Sequence, residues 1–276
     1  MKRIKKPDYN VKIIIYNCAN SITDPSKRKR IIDAADRIAT KSSEYDHLAE
    51  SRLLYTLELN DLADSGVTKD DMIGLYDNKF VKHKDVRPKY YDKIKVSTNG
   101  ICPICGIGQV QNLDHYLPKS LYPIYAVTPY NLIPICRDCN FDKSNQSFSD
   151  ENKAPIHPYY DDIENTIWLK AELLIQNGGL VTHYCVDNDL EAFNNILFYR
   201  CLNHMNTYNL YNRYSIQAAR EIADNEWIWK KNIDLWGEDM FKEYINDQIK
   251  SFEYVDKNTW KIALYRALIN NIELLR

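Results

Sequence analysis

Hydrophobic positions in the first third of the chain recur at intervals of three and four, the spacing that lines one face of an α-helix. Ile31, Ile32, Ala35, Ile38 and Ala39 form one such stripe. Asp24-Pro25 ahead of them supplies an N-cap and a proline suited to the first helical turn. A second stripe runs through Leu48, Leu53, Leu54, Leu57 and Leu59, and Thr68 before Asp70 and Asp71 marks a third helix start. Between Lys79 and Lys95 the pattern turns basic, with Lys82, His83, Lys84, Arg87, Lys89, Lys93 and Lys95. Such a run is either a solvated helix face or a track for a phosphate backbone.

At Thr98-Asn99-Gly100 the helical pattern stops, and glycine, proline, cysteine and short apolar runs replace it up to about residue 150. Farther on, Trp168 to Ile175 and Leu180 to Val186 flank Asn177-Gly178-Gly179. Two apolar runs around an Asn-Gly turn predict a hairpin, although a helix ending the first run fits as well. From Leu190 onward the helical period returns, rich in Tyr and Trp. The expected fold class is therefore mainly α with a small α+β insert. The regions are 1–97 helical, 98–150 a compact module, and 151–276 mostly helical.

Composition narrows the function classes. The 276 residues are 45% hydrophobic, enough for real cores, and the net charge is -2, so no global basic field announces nucleic acid. Any binding of nucleic acid must come from a local basic surface, a bound metal or a partner. The 21 tyrosines fill half-buried helix surfaces more readily than they stack on bases. The apolar run Val11 to Tyr16 is short and broken by Lys12, which fits neither a signal peptide nor a membrane span. Of seven cysteines, Cys18, Cys185 and Cys201 have no paired spacing and read as reduced core residues. A cytoplasmic location follows as the expectation.

The other four cysteines carry the chemistry. Cys102-Pro-Ile-Cys105 and Cys136-Arg-Asp-Cys139 are two CxxC knuckles, each able to point two sulfurs at one ion. Together they form the four-thiolate ligand set of a structural zinc. A redox role would sit in a βαβ pattern, which this segment lacks. Between the knuckles lies Leu113-Asp114-His115-Tyr116-Leu117-Pro118-Lys119-Ser120, then Asn131-Leu132, and Asn140 and Lys143-Ser144 follow the second knuckle. A carboxylate, an imidazole and two amides can bind a hard cation and activate water. In an extended chain Asp114 and His115 point to opposite faces, so they require an irregular turn or a site entered between them. Lys119 and Lys143 either add positive charge near a phosphate or are solvated surface lysines. His47, His83, His157, His183 and His204 lack ligand spacing, and only His157 lies close enough in sequence to line a cleft.

Residues 100 to 146 resemble the HNH endonuclease family, a ββα-metal fold. The resemblance implies that Asp114 is a metal ligand, His115 the general base, Asn131 the residue that holds the loop in shape and Asn140 the second metal ligand. The last position is Asn rather than His, the variant also found in the HNH domain of RNA-guided CRISPR effectors. The implied cofactors are a structural zinc on Cys102, Cys105, Cys136 and Cys139, and a catalytic magnesium or manganese on Asp114 and Asn140. A looser resemblance is to HNH nucleases of bacterial anti-phage defence systems of the Septu type, which implies an ATPase partner subunit. DNA is the favoured substrate, with a homodimer as a further candidate and no membrane partner. Two alternatives stand beside this: a non-catalytic zinc module that binds protein or nucleic acid, and an RNA-cleaving nuclease.

Overall fold

The computed structural model describes residues 3–63 and 65–275. The chain divides into two compact units, one from residue 3 to 161 and one from 162 onward. The segment 98–150 belongs to the first unit together with the helices that precede it.

The first unit begins with α1 (Val11–Ala19), α2 (Pro25–Asp33) and α3 (Ala35–Glu50). Asp24 caps α2 by accepting from the backbone N–H groups of Ser26 and Lys27, and Pro25 opens its first turn. Ile31, Ala35 and Ile38 are all buried. The second apolar stripe does not extend α3. The helix stops at Glu50 because Arg52 adopts φ 61°, and the N–H of Leu53 reaches back to the carbonyl of Leu48. This is a Schellman stop made without its usual glycine. Leu54 then turns inward in a short 3-10 turn while Leu59 is left exposed.

Thr68 and Asp71 form a capping box at the start of α4 (Lys69–Gly74), which widens into a π turn over Leu75–Phe80. The basic stretch that follows is not a continuous helix. It comprises a 3-10 turn at Arg87–Lys89 and then α5 (Tyr91–Val96). Next come β1 (Asn112–His115), β2 (Leu132–Ile135) and α6 (Arg137–Lys143). The two strands pair antiparallel, with Asp114 opposite Ile133 and His115 opposite Leu132. Helix α5 packs on this hairpin.

The second unit contains β3 (Leu169–Gln176) and β4 (Gly179–Val186), an antiparallel hairpin. Asn177 and Gly178 have φ 53° and 79°, the two positive values that a two-residue type I′ turn requires. The hairpin expectation holds and the helical alternative does not. Helices α7 (Asp189–Phe193), α8 (Asn195–Thr207), α9 (Leu210–Trp236), α10 (Glu238–Glu253) and α11 (Trp260–Asn270) complete the unit. Helix α11 lies on β3 and α9 on β4. Trp168, Tyr214, Phe241 and Leu264 fill its core. Among the described residues no helix is long and apolar enough to cross a membrane. The fold is mainly α with two small antiparallel sheets.

Candidate metal centre and the strand–strand–helix site

Cys102 and Cys105 lie on a turn closed by the N–H of Gly106 on the carbonyl of Cys102, with Gly106 at φ 67°. Cys136 is the N-cap residue between β2 and α6, and Cys139 sits in the first turn of that helix. All four thiols are buried, and their sulfurs lie within 4.8 Å of one another. Four sulfurs about 2.3 Å from a tetrahedral zinc are about 3.8 Å apart. Cys105 Sγ and Cys136 Sγ are 3.8 Å apart. The cluster therefore has the dimensions to hold one metal ion such as zinc. Hydrogen bonds among the thiols push Cys102 and Cys139 up and Cys105 down, so the four do not ionise alike without a cation. The Gly108 N–H donates to Cys105 Sγ at 3.4 Å. None of the four is in a disulfide.

The strand β1 is regular through His115, so Asp114 and His115 leave it on opposite faces. Of the two alternatives, an irregular turn is absent, which leaves a site entered between the two residues. On one side, Asp114 Oδ2 accepts from Lys143 Nζ at 2.8 Å. The same ammonium donates to the carbonyl of His115 at 2.6 Å. Lys143 is buried, so it is not a solvated surface lysine. It staples the last turn of α6 to the end of β1. Asn140 lies one turn earlier in α6, and residues three apart share a helix face. Asn140 is thus carried on the face that Lys143 turns toward Asp114. Asp114 Oδ1 and the Asn140 amide have no hydrogen-bond partner among the described residues, which leaves two oxygens open to a hard cation.

On the other side, the His115 ring is 4% exposed and meets the Tyr76 ring edge-on at 4.4 Å. His115 Nε2 lies 2.9 Å from the carbonyl of Ala126. A carbonyl only accepts, so Nε2 carries the hydrogen and Nδ1 carries the lone pair. Burial lowers the pKa of the ring to about 4, with the Asp114 carboxylate opposing that shift. The imidazole is therefore neutral near pH 7. Nδ1 has no hydrogen-bond partner among the described residues. Lys119 pairs with Asp77 and stands over the Tyr76 ring at 4.8 Å.

Asn131 is fully buried and uses its whole amide. Oδ1 accepts from Leu117 N–H at 2.8 Å and from the Tyr45 hydroxyl at 3.1 Å. Nδ2 donates to the carbonyls of Leu117 and Tyr125 at 3.1 and 3.3 Å. It thereby ties the turn leaving His115 to the turn that carries Ala126, the acceptor of the His115 ring. The Tyr45 hydroxyl has one hydrogen and spends it on Asn131, so His157 Nε2, 3.3 Å away, donates to it. His157 is buried rather than lining a cleft, and its ring lies 4.1 Å from that of Tyr116. Tyr45 and Tyr76, from α3 and the π turn, have no sequence signal that marks them as part of the site.

Asn131→Ala is expected to destabilise the first unit by about 3 kcal/mol, since it strands a buried N–H, a buried hydroxyl and two carbonyls. Chemical denaturation checks this, and a loss below about 1 kcal/mol would show that water replaces the amide.

Over its whole length the chain is similar to Protein ea31 of Escherichia phage lambda. The two are 29% identical over 298 aligned positions, which cover 100% of this chain and 99% of that protein. No family model matches the chain, and no solved structure matches it.

Proposed function

We propose that the chain is a metal-dependent endonuclease of the HNH type that hydrolyses phosphodiester bonds, with DNA as the favoured substrate. One observation carries the reading. A neutral histidine, tethered through Nε2 with its Nδ1 lone pair unengaged, ends a strand beside a carboxylate that faces an amide-bearing helix. Under this reading His115 Nδ1 takes the proton of the attacking water. Asp114 and Asn140 hold magnesium or manganese, which when bound stabilises the departing 3′-oxygen. Asn131 keeps the His115 loop in shape. Zinc on the four cysteines anchors α6 and so fixes Asn140 and Lys143 relative to β1.

A zinc module without activity is the second reading, and the buried Lys143–Asp114 pair favours it. A lysine already satisfies one oxygen of the proposed ligand. An anti-phage setting rests on the motif variant and the helical flanks, and the similar protein belongs to a phage. Cutting both strands of a duplex requires two such sites, which like chains related by a two-fold axis supply. Trp227, Leu235 and Met240, exposed on α9 and α10, are apolar surface that a second copy or an ATPase subunit would cover.

The test is plasmid nicking with added magnesium or manganese, against the same protein without divalent ion. Activity should appear only with the ion. Asn140→Ala should raise the metal concentration needed, and Asp114→Ala should raise it further because it also removes a charge. Superimposable metal titrations for wild type and both variants would remove Asp114 and Asn140 from the site. Zinc-loaded, folded protein that never nicks would favour the binding module.

A further inference from the structure

The basic stretch of residues 79–95 has no part in the chemistry above. Its cations are less neutralised than those of another basic run, Lys27 to Arg30, where Lys27 and Arg30 pair with Asp71 and Lys29 with Asp33. The 79–95 stretch carries seven cations against two carboxylates, Asp85 and Asp92, in a protein of net charge -2. Two of those cations are used structurally. Lys79 Nζ donates to the carbonyl of Ser21 at 2.8 Å. Arg87 pairs with Asp92 at 3.0 Å, donates to the carbonyl of Val81 at 3.0 Å and lies over the Tyr91 ring. Lys82, Lys84, Lys89 and Lys93 are exposed and have no ion-pair partner among the described residues. Elsewhere many lysines are paired, including Lys6, Lys12, Lys29, Lys41, Lys119, Lys143, Lys170 and Lys261.

The stretch is held against the candidate site. Its helix α5 packs on β1 and β2, and the Tyr91 hydroxyl accepts from the N–H of Leu113 at 3.3 Å, one residue before Asp114. The platform is stiff, because Phe80, Tyr90 and Tyr91 are buried and their rings contact one another. Those inward-turned aromatics also discriminate between ligands. Proteins that grip single strands stack unpaired bases on exposed aromatic rings, and this surface offers none. Lysine heads without rings suit the paired, evenly charged backbone of a duplex.

We propose that Lys82, Lys84, Lys89 and Lys93 form a docking surface for the phosphate backbone of duplex DNA, which they deliver to the strand–strand–helix site. The proposal rests on the nuclease reading for its purpose but is tested by binding alone. The probe is a labelled DNA duplex of about two helical turns, with zinc-loaded protein, no added divalent ion, and anisotropy read across a salt series. The test variant replaces all four lysines with Gln, which preserves helix propensity. The control replaces exposed Lys5, Lys69, Lys231 and Lys257 with Gln, the same change in net charge placed elsewhere.

Affinity of the test variant should fall by about ten-fold or more at physiological salt, and its log–log salt slope should flatten by about 3–4, close to one per lost phosphate contact. The control should lose far less. Equal losses in both variants would overturn the surface, as would an unchanged slope or no binding by wild type. Tighter binding of single-stranded DNA or of duplex RNA would overturn it as well. Plasmid nicking is scored separately. Lysine-dependent duplex binding without cleavage by any preparation would leave the surface standing and remove the nuclease. Cleavage with lysine-independent binding would do the reverse.

Discussion

Under the proposed nuclease reading, His115→Ala is expected to lower the nicking rate by about 100- to 10,000-fold, the usual consequence of removing a general base. The geometry states why no neighbour substitutes. Asp114 is engaged by Lys143 and, under the proposed reading, by the metal ion. Lys119 is a cation paired with Asp77. The Tyr76 hydroxyl points to the carbonyl of Leu113 at 3.4 Å, and burial holds its pKa well above the ordinary phenol value. Among the described residues no other side chain at the end of β1 offers an unengaged base. The substitution also has a structural cost. It removes a ring that is 4% exposed, leaves the carbonyl of Ala126 without its donor, and opens space beside Tyr76. A stability loss of about 2 kcal/mol follows from those terms. Assays therefore belong well below the melting temperature, with zinc content checked in parallel. His115→Asn provides the second variant, since its amide can still donate to Ala126 while it cannot accept a proton from water. Both variants should retain zinc and duplex binding. Nicking by folded His115→Asn within a few-fold of wild type would remove His115 from the base role and direct attention to solvent hydroxide on the metal.

How much of this was legible beforehand depended on whether the signal was local. The cap at Asp24-Pro25, the box at Thr68 and Asp71, and the Asn177-Gly178 turn are each written in two to four adjacent residues, and each appears in the structure. The four-cysteine frame is equally local, because a CxxC turn aims its own sulfurs. The end of α3 was not legible. Its stop uses Arg52 in a left-handed conformation where glycine is the usual marker, so the leucine stripe looked continuous. The environment of Asn131 was not legible either. Its partner Tyr45 lies 86 residues away, and no spacing rule links a tyrosine in α3 to an amide before β2. The choice between the two readings of Lys143 was not legible for the same reason. A lysine near a helix end is ordinarily solvated, and only the fold shows that this one is buried between the Asp114 carboxylate and the His115 carbonyl. His157 shows the converse, a histidine near the site in sequence that the fold turns into core. The residues whose chemistry is intrinsic could be named from sequence. Those whose role depends on a distant partner could not.

Cys139→Ser and Cys102→Ser are each expected to abolish zinc binding and to destabilise the first unit by several kcal/mol, the cost of losing a structural metal. The size follows from what the cluster holds together. The segment around the knuckles is mostly turns, and its regular elements are two four-residue strands and one seven-residue helix. A helix that short does not persist in water without tertiary support. Its N-terminal anchor is Cys136, so loss of the metal releases α6 at the end opposite Lys143. The consequence then spreads to Asp114 and His115, whose contacts with Lys143 depend on where α6 sits. A serine at either position offers a poorer ligand and leaves three buried thiols that cannot all ionise together without a cation. Cys18→Ser is the informative control. Cys18 is buried in α1 of the same unit, and burial pushes its pKa up to about 12, but it stands outside the cluster. Its substitution should cost stability through packing while zinc stays at one per chain. Elemental analysis with denaturant titration separates the two outcomes. Cleanly folded wild-type protein that contains no zinc would overturn the assignment. So would Cys139→Ser protein that keeps both its metal and its midpoint. In either case the thiols would be a buried core cluster, and α6 would be held by packing and Lys143 alone.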